Sequence, residues 1–387
     1  MRRRFGWRGA LCAALIAAAP AAVQAQVVRR GLPPFAKGYE PHTVDERGMW
    51  MIADEDERKL RDSKFVINDS ALNAYIRSVL CKTVGDDRCQ GARIYVMRIA
   101  AFNASMSPNG TLQVWSGLLM RVRSEAELAA VLGHEFAHFE MRHSLAGYRH
   151  ARSASDIMAW ASLLGTSGIV LQAAAVGSFF SYGRAQEEEA DQLSMQYLLN
   201  SPYNPQGFAD VWERIMSETD ATALGRKQRS TRYDRTAFFA SHPTTLQRAG
   251  YLRELAGQRT GDDGEDRYLK AMAKWRPEFL ADQLKLNDFG GTEYLLGQLA
   301  KSGWTPDLLM ARADLHRTRG NPRDLVSAAD LYRQVVAQSP DNAEAYRGLG
   351  MALLRGPNPA EGKDALRHYL SLRPDAQDSA MISVLTQ

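Results

Sequence analysis

His134, Glu135 and His138 stand together as HEFAH, inside a stretch from Ser124 to Ser144 that reads as one helix. Two imidazoles four residues apart share a helical face, the spacing at which one tetrahedral metal ion takes both. A glutamate beside the first is placed to serve as base for a hydrolytic water. Ser124 with Glu127 three residues on has the form of a capping box, and Leu128, Ala129, Val131 and Leu132 supply an apolar run behind it. Ala129, Ala130, Gly133 and Ala137 are small, as a crowded, buried helix requires. Burial of two histidines and a glutamate is costly unless a cation and hydrogen bonds compensate, so the pattern points to a metal hydrolase centre.

A third protein ligand is then needed. His143 lies nine residues after His134 and, on one continuous helix, faces the other way; it also misses the HExxHxxGxxH spacing by one residue, so its expected role is structural. Downstream, Gln186-Glu187-Glu188-Glu189-Ala190-Asp191 is expected to open a helix running through Leu193, Met195, Tyr197 and Leu198. Glu187 and Asp191 share one face of it. One carboxylate can bind a metal while the other holds a ligand histidine by its free ring nitrogen. Glu188 reads as a solvated member of an acidic first turn, favoured there by the helix dipole.

HEFAH, an apolar interval of about fifty residues, EEEAD, and SHPTTLQR at Ser241 to Arg248 together resemble metallopeptidase family 48, the zinc peptidases of the HtpX and CAAX prenyl protease type. Within it the similarity is to periplasmic members with a tetratricopeptide tail, and it spans roughly residues 45–255 and the tail. The resemblance implies a mainly α, gluzincin-type domain with a small β-hairpin or sheet, followed by an all-α tetratricopeptide-like domain. It implies one zinc ion per chain on His134, His138 and Glu187, with Glu135 as base and Asp191 behind the ligands. His242 and Arg248 match a pair near the metal, suited to meeting negative charge in the reaction. Expected substrates are unfolded or misassembled envelope proteins, with outer-membrane assembly machinery as a partner of the tail. A chaperone or assembly factor with a latched or auxiliary zinc site is the competing class.

The chain has 387 residues, enough for two domains. Its start, MRRRFGWRGALCAALIAAAPAAVQAQ, has the basic, apolar and small-residue regions of a secretory signal peptide cut after Ala25, so an exported protein is expected, and a Gram-negative periplasm fits. Cleavage removes four arginines, taking the net charge from +4 to a balance of 44 basic against 44 acidic residues. That balance gives no indication of nucleic-acid binding or of an electrostatic membrane surface. In an exported chain Cys81 and Cys89 are expected to form a local disulfide, worth about 2–3 kcal/mol by loop entropy.

The remaining elements must position these residues. Residues 26–44, rich in glycine and proline, read as an extended leader, and 45–256 as the peptidase domain. Helical periodicity runs through Met51 and Leu60 and again through Leu72, Tyr75, Ile76, Val79 and Leu80, all read as packing residues. Arg93 to Ile99 reads as a strand. NASMSPNG and TLQVWSG read as a hairpin about Pro108-Asn109-Gly110, whose first strand, Asn103, Ala104, Ser105 and Met106, offers an edge to extended substrate. Ile157 to Gly183 lacks charge but is broken by Gly165 to Gly168, so a helical hairpin with at most peripheral membrane contact is expected. Phe208 to Met216 reads as a helix and Ser217 to Arg235 as a mobile loop. Residues 257–265 read as a linker to a repeat domain over 266–387, where Pro306, Pro340 and Pro374 recur every 34 residues, each followed by aspartate.

Overall fold

The computed structural model describes residues 41–147, 149, 166–230, 246–356 and 358–387, with backbone alone over 166–182. The expected signal peptide, most of the leader and His242 lie outside the described residues. The architecture is mainly α with one small sheet, as the sequence leads one to expect.

Helix α1 (Val44–Arg61) starts on Thr43 in a reciprocal capping box with Glu46. Its inward face carries Glu46, Ala53 and Glu57, while Met51 is exposed, so the expected apolar packing at Met51 is corrected. Glu57 accepts from Arg93 Nε and Nη2, each at 2.6 Å, and from the Tyr95 hydroxyl at 2.9 Å, which clamps α1 to the sheet. The Arg93 guanidinium holds the Glu57 carboxyl at about 2, against the opposing effect of burial. A depressed carboxyl contributes its stability above the ordinary value of 4.5 and loses it as pH falls towards the folded value. Glu57→Gln is therefore expected to lower the thermal midpoint at neutral pH, with the gap to wild type narrowing from about pH 5 to about pH 3. Melts of both proteins across that range check this; parallel curves would overturn it.

Helix α2 (Ser70–Val84) begins on Asp69, which accepts from the Leu72 amide, and buries Leu72, Ile76, Val79 and Leu80 as the periodicity requires. The chain turns at Gly85 into the short α3 (Asp86–Cys89), and Cys81 is disulfide-bonded to Cys89. Arg88, beside that bond, donates to Glu140 Oε2 at 3.2 Å, and Tyr197 donates to the same oxygen at 2.6 Å. The disulfide loop thus braces the end of the helix that carries HEFAH.

Strands β1 (Arg93–Met97), β2 (Ala104–Met106) and β3 (Thr111–Trp115) form a sheet in the order β1-β3-β2, with β1 parallel and β2 antiparallel to β3. Gly110 closes the hairpin at φ 89, and a Cβ there would lie 2.6 Å from the Gly91 carbonyl oxygen. After α4 (Ser116–Arg121) comes α5 (Glu125–Glu140), buried at every residue from Glu125 to Ala137. Ser124 accepts from the Glu127 amide as expected, but the Glu127 carboxylate takes the Arg123 amide and the Arg214 guanidinium instead of closing the box.

Helix α6 (Thr166–Asn200) is continuous over 35 residues. The acidic run at 187–189 therefore lies inside a helix instead of opening one, and Glu188 is not in a first turn. Helix α7 (Gly207–Gly225) runs past Met216 and takes in residues 217–225 of the segment expected to be a loop. One of its polar residues is paired inside: Glu218 accepts from buried Arg121 at 2.6 Å, so low hydropathy does not signal exposure at that position.

Helix α8 (Leu246–Ala256) leads into the stretch 257–265, which is pinned through Asp262 to Pro202 and Asn204. It does not divide two cores. One apolar core runs from Ile67 to Leu315, so α9 (Glu265–Met272), α10 (Arg276–Leu284) and α11 (Phe289–Leu299) pack into the peptidase body. Then α12 (Pro306–Arg319) pairs with α13 (Pro322–Gln338), and α14 (Ala343–Leu354) with α15 (Pro359–Leu372), before α16 (Ser379–Leu385). Gly348 lets α14 close onto Tyr332, whose ring would meet a Cβ at 2.4 Å. Pro340 and Pro374 each follow a helix C-cap directly, whereas Pro306 is the first residue of α12; the three prolines are not equivalent positions. Among the described residues no helix is long and apolar enough to cross a membrane.

Candidate metal centre

Helices α5 and α6 cross where α5 presents His134 and His138 and α6 presents Glu187, Glu189 and Asp191. His134 Nε2 lies 3.1 Å from His138 Nε2 and 3.4 Å from Glu187 Oε2, and His138 Nε2 lies 3.2 Å from Glu187 Oε1. A tetrahedral ion with bonds of about 2.0–2.1 Å has ligand–ligand edges of about 3.3–3.4 Å. The three donors nearly describe one face of that tetrahedron. Two neutral nitrogens and one carboxylate suit a divalent metal of borderline softness, so the residues fit a bound ion.

The surroundings hold the donors in place. Asp191, fully buried, lies 2.9 Å from His134 Nδ1, which leaves Nε2 of that ring for the donor face. Arg248 grips the other side of Asp191 with a two-point fork, Nε to Oδ2 and Nη2 to Oδ1, both at 2.7 Å. Tyr251 also donates to Asp191 Oδ2. Burial would raise the Asp191 carboxyl, but the Arg248 charge and the His134 contact outweigh it and hold it at about 2. Burial would likewise lower the His134 imidazole; the Asp191 and Glu187 carboxylates reverse that and lift it to about 9. Trp212 of α7 lies under the guanidinium at 4.4 Å, and Phe208 meets the His134 ring edge-on at 6.0 Å. Glu135, next to His134, is buried at 6% exposure.

His143 corrects the sequence expectation. Helix α5 ends at Glu140 and Arg142 takes a left-handed φ of 58, so the chain doubles back instead of carrying His143 round to the far face. His143 Nδ1 consequently lies 2.8 Å from His138 Nδ1, with Nε2 3.2 Å from Glu189 Oε2. Burial pulls this imidazole below its usual range. Nothing in the residue types marks the reversal, since neither glycine, asparagine nor proline stands at Arg142. Trp212, Phe208 and Tyr251 were also not singled out by sequence; the step of three from Arg248 to Tyr251 on one helix is the signal that points to the last.

Strand β2 packs beside α5 at the sheet edge, and no described strand pairs with its outer side. Asn103 O accepts from the Trp115 amide and the Ser107 amide donates to Thr111 O, so by antiparallel alternation Ser105 also bonds inward. The backbone groups of Ala104 and Met106 face outward.

A helix with paired histidines, a carboxylate from a second helix and a flanking edge strand define a metallopeptidase domain. Residues 70–256 match the description of Peptidase family M48. The chain is 31% identical over 160 residues to the metalloprotease YcaL of Escherichia coli, covering 39% of this chain and 57% of that one. It is 30% identical over 163 residues to the mitochondrial metalloendopeptidase OMA1 of Schizosaccharomyces pombe, covering 42% and 45%. A beta-barrel assembly-enhancing protease of Yersinia pestis is 23% identical over 302 residues, covering 74% of this chain and 59% of its own length. The chain thus spans less than two thirds of each of these relatives.

Proposed function

We propose that the protein is a zinc-dependent endopeptidase of the bacterial envelope, with His134, His138 and Glu187 as the ligands of one zinc ion. The observation that carries this is the donor triangle of 3.1, 3.2 and 3.4 Å, matched to a tetrahedral face and braced by Asp191. A bound divalent metal supplies Lewis acidity, polarising a carbonyl and lowering the pKa of water from about 15.7 towards roughly 7. Glu135 takes a proton from the attacking water and returns it to the leaving amine. Ala104 and Met106 bind extended substrate through main-chain hydrogen bonds along the β2 edge, so binding tolerates varied side chains. Arg248, committed to Asp191 on both fork nitrogens, works through that carboxylate as a positioning residue. His242, six residues earlier, is assigned to the reaction on its sequence context alone.

The basic-apolar-small pattern of residues 1–25 supports export to the periplasm. The assembly-enhancing relatives support misassembled outer-membrane proteins as substrates, and the stacked helix pairs beyond Pro306 support a binding platform for them or for assembly partners. Treatment of the purified mature chain with a chelator is expected to remove nearly all cleavage of an unfolded test protein, and stoichiometric zinc to restore it. Cleavage that persists in metal-free protein would refute the reading.

A further inference from the structure

The geometry points to a hydrogen-bond relay, Glu189 to His143 to His138, that fixes the proton on His138 and orients its ring for the metal, with His143 as a positioning residue. This rests on the proposed metal centre and extends it to two residues outside the donor triangle.

The argument is one of directions. His138 Nε2 faces the other two donors, at 3.1 Å from His134 and 3.2 Å from Glu187. A neutral imidazole that gives its Nε2 lone pair to a cation must carry its hydrogen on Nδ1. That Nδ1–H has an acceptor at 2.8 Å, His143 Nδ1. For His143 to accept there, its own hydrogen must sit on Nε2, and this nitrogen faces the Glu189 carboxylate at 3.2 Å. Each group therefore has one consistent role: Glu189 accepts, His143 donates to it and accepts from His138, and His138 presents a lone pair inward. His134 is held by Asp191 on its Nδ1 side in the same manner, so the two ligand histidines have separate supports.

The placement of His143 is itself secured. Its backbone carbonyl accepts from Gln186 Nε2 at 2.9 Å, and its ring is buried at 7% exposure while Glu189 reaches the surface. Helix α6 thus supplies a donor to the turn, the terminal acceptor of the relay and the carboxylate of the donor triangle from Gln186, Glu189 and Glu187. The left-handed Arg142 is the backbone feature that brings His143 back to meet them.

The test uses the full mature chain, stripped of metal and titrated with zinc against a chromophoric chelator, with visible spectra of cobalt-loaded forms alongside. His143→Ala is expected to weaken zinc binding by about 10–100-fold and to change the cobalt spectrum. His143→Asn, whose Oδ1 accepts where Nδ1 did, should recover most of the affinity, a rescue that lost packing alone does not give. Glu189→Ala should cost several-fold. Wild-type affinity and spectrum in His143→Ala would overturn the relay and leave the centre standing; failure of wild type to take up zinc would overturn both. Should His143→Ala not fold, the half-exposed Glu189→Ala decides, and affinity within about twofold of wild type there would reject the relay.

Discussion

Replacement of Glu135 by glutamine is expected to abolish nearly all peptide-bond cleavage while the protein still binds one equivalent of zinc. Glutamine matches the volume of the buried side chain and keeps one acceptor oxygen, but it cannot take up a proton at neutral pH. The loss is that of a general base, on the order of 100 to 10,000-fold. Zinc should be retained because the donor triangle is formed by His134, His138 and Glu187, with Glu135 outside it. Metal analysis and turnover of an unfolded protein, wild type beside variant, read the two effects separately. Turnover near the wild-type rate would remove Glu135 from the mechanism. Loss of zinc together with turnover would instead make Glu135 part of what holds the metal.

What could be read from the chain in advance follows from how local each feature is. His134, Glu135 and His138 were legible because a helical repeat of 3.6 residues puts positions four apart on one face whatever surrounds the helix. Glu187 and Asp191 obey the same arithmetic, so they share a face although the helix runs through the acidic run instead of opening at it. An acidic run has the composition of a first turn, whereas here it marks where α6 brings its carboxylates to the histidines of α5. His143 failed for the opposite reason: its position depends on one left-handed residue, Arg142, in a segment without the usual turn residues. The segment after Met216 failed because Glu218 and Arg121 satisfy each other inside the protein, a pairing across 97 residues that hydropathy along the chain does not reveal. In the tail the 34-residue recurrence of proline-aspartate was real as a pattern, yet two of its three members end one helix and the other begins one.

Asp191→Ala should damage the centre in two separable ways. Asp191 is the acceptor that orients His134 and the counter-charge that makes burial of Arg248 tolerable. Without it, Arg248 at 4% exposure loses its two-point fork, and the approach of Nη1 to Glu187 at 3.4 Å is a weaker charge contact. A buried ion left without its partner typically costs about 3–5 kcal/mol, so a large fall in thermal midpoint is expected for the metal-free protein. Separately, His134 loses the support that leaves Nε2 as its free donor, and zinc affinity should fall by about 10–100-fold. The double variant Asp191→Ala with Arg248→Met distinguishes the two causes. Methionine keeps an apolar stem over Trp212 and carries no charge, so much of the lost stability should return while zinc binding stays weak. Chelator competition and thermal melts of the three proteins provide the measurements. Recovery of zinc affinity together with stability would mean that Asp191 acts on the metal only through the fold, and the role assigned to its contact with His134 would be wrong.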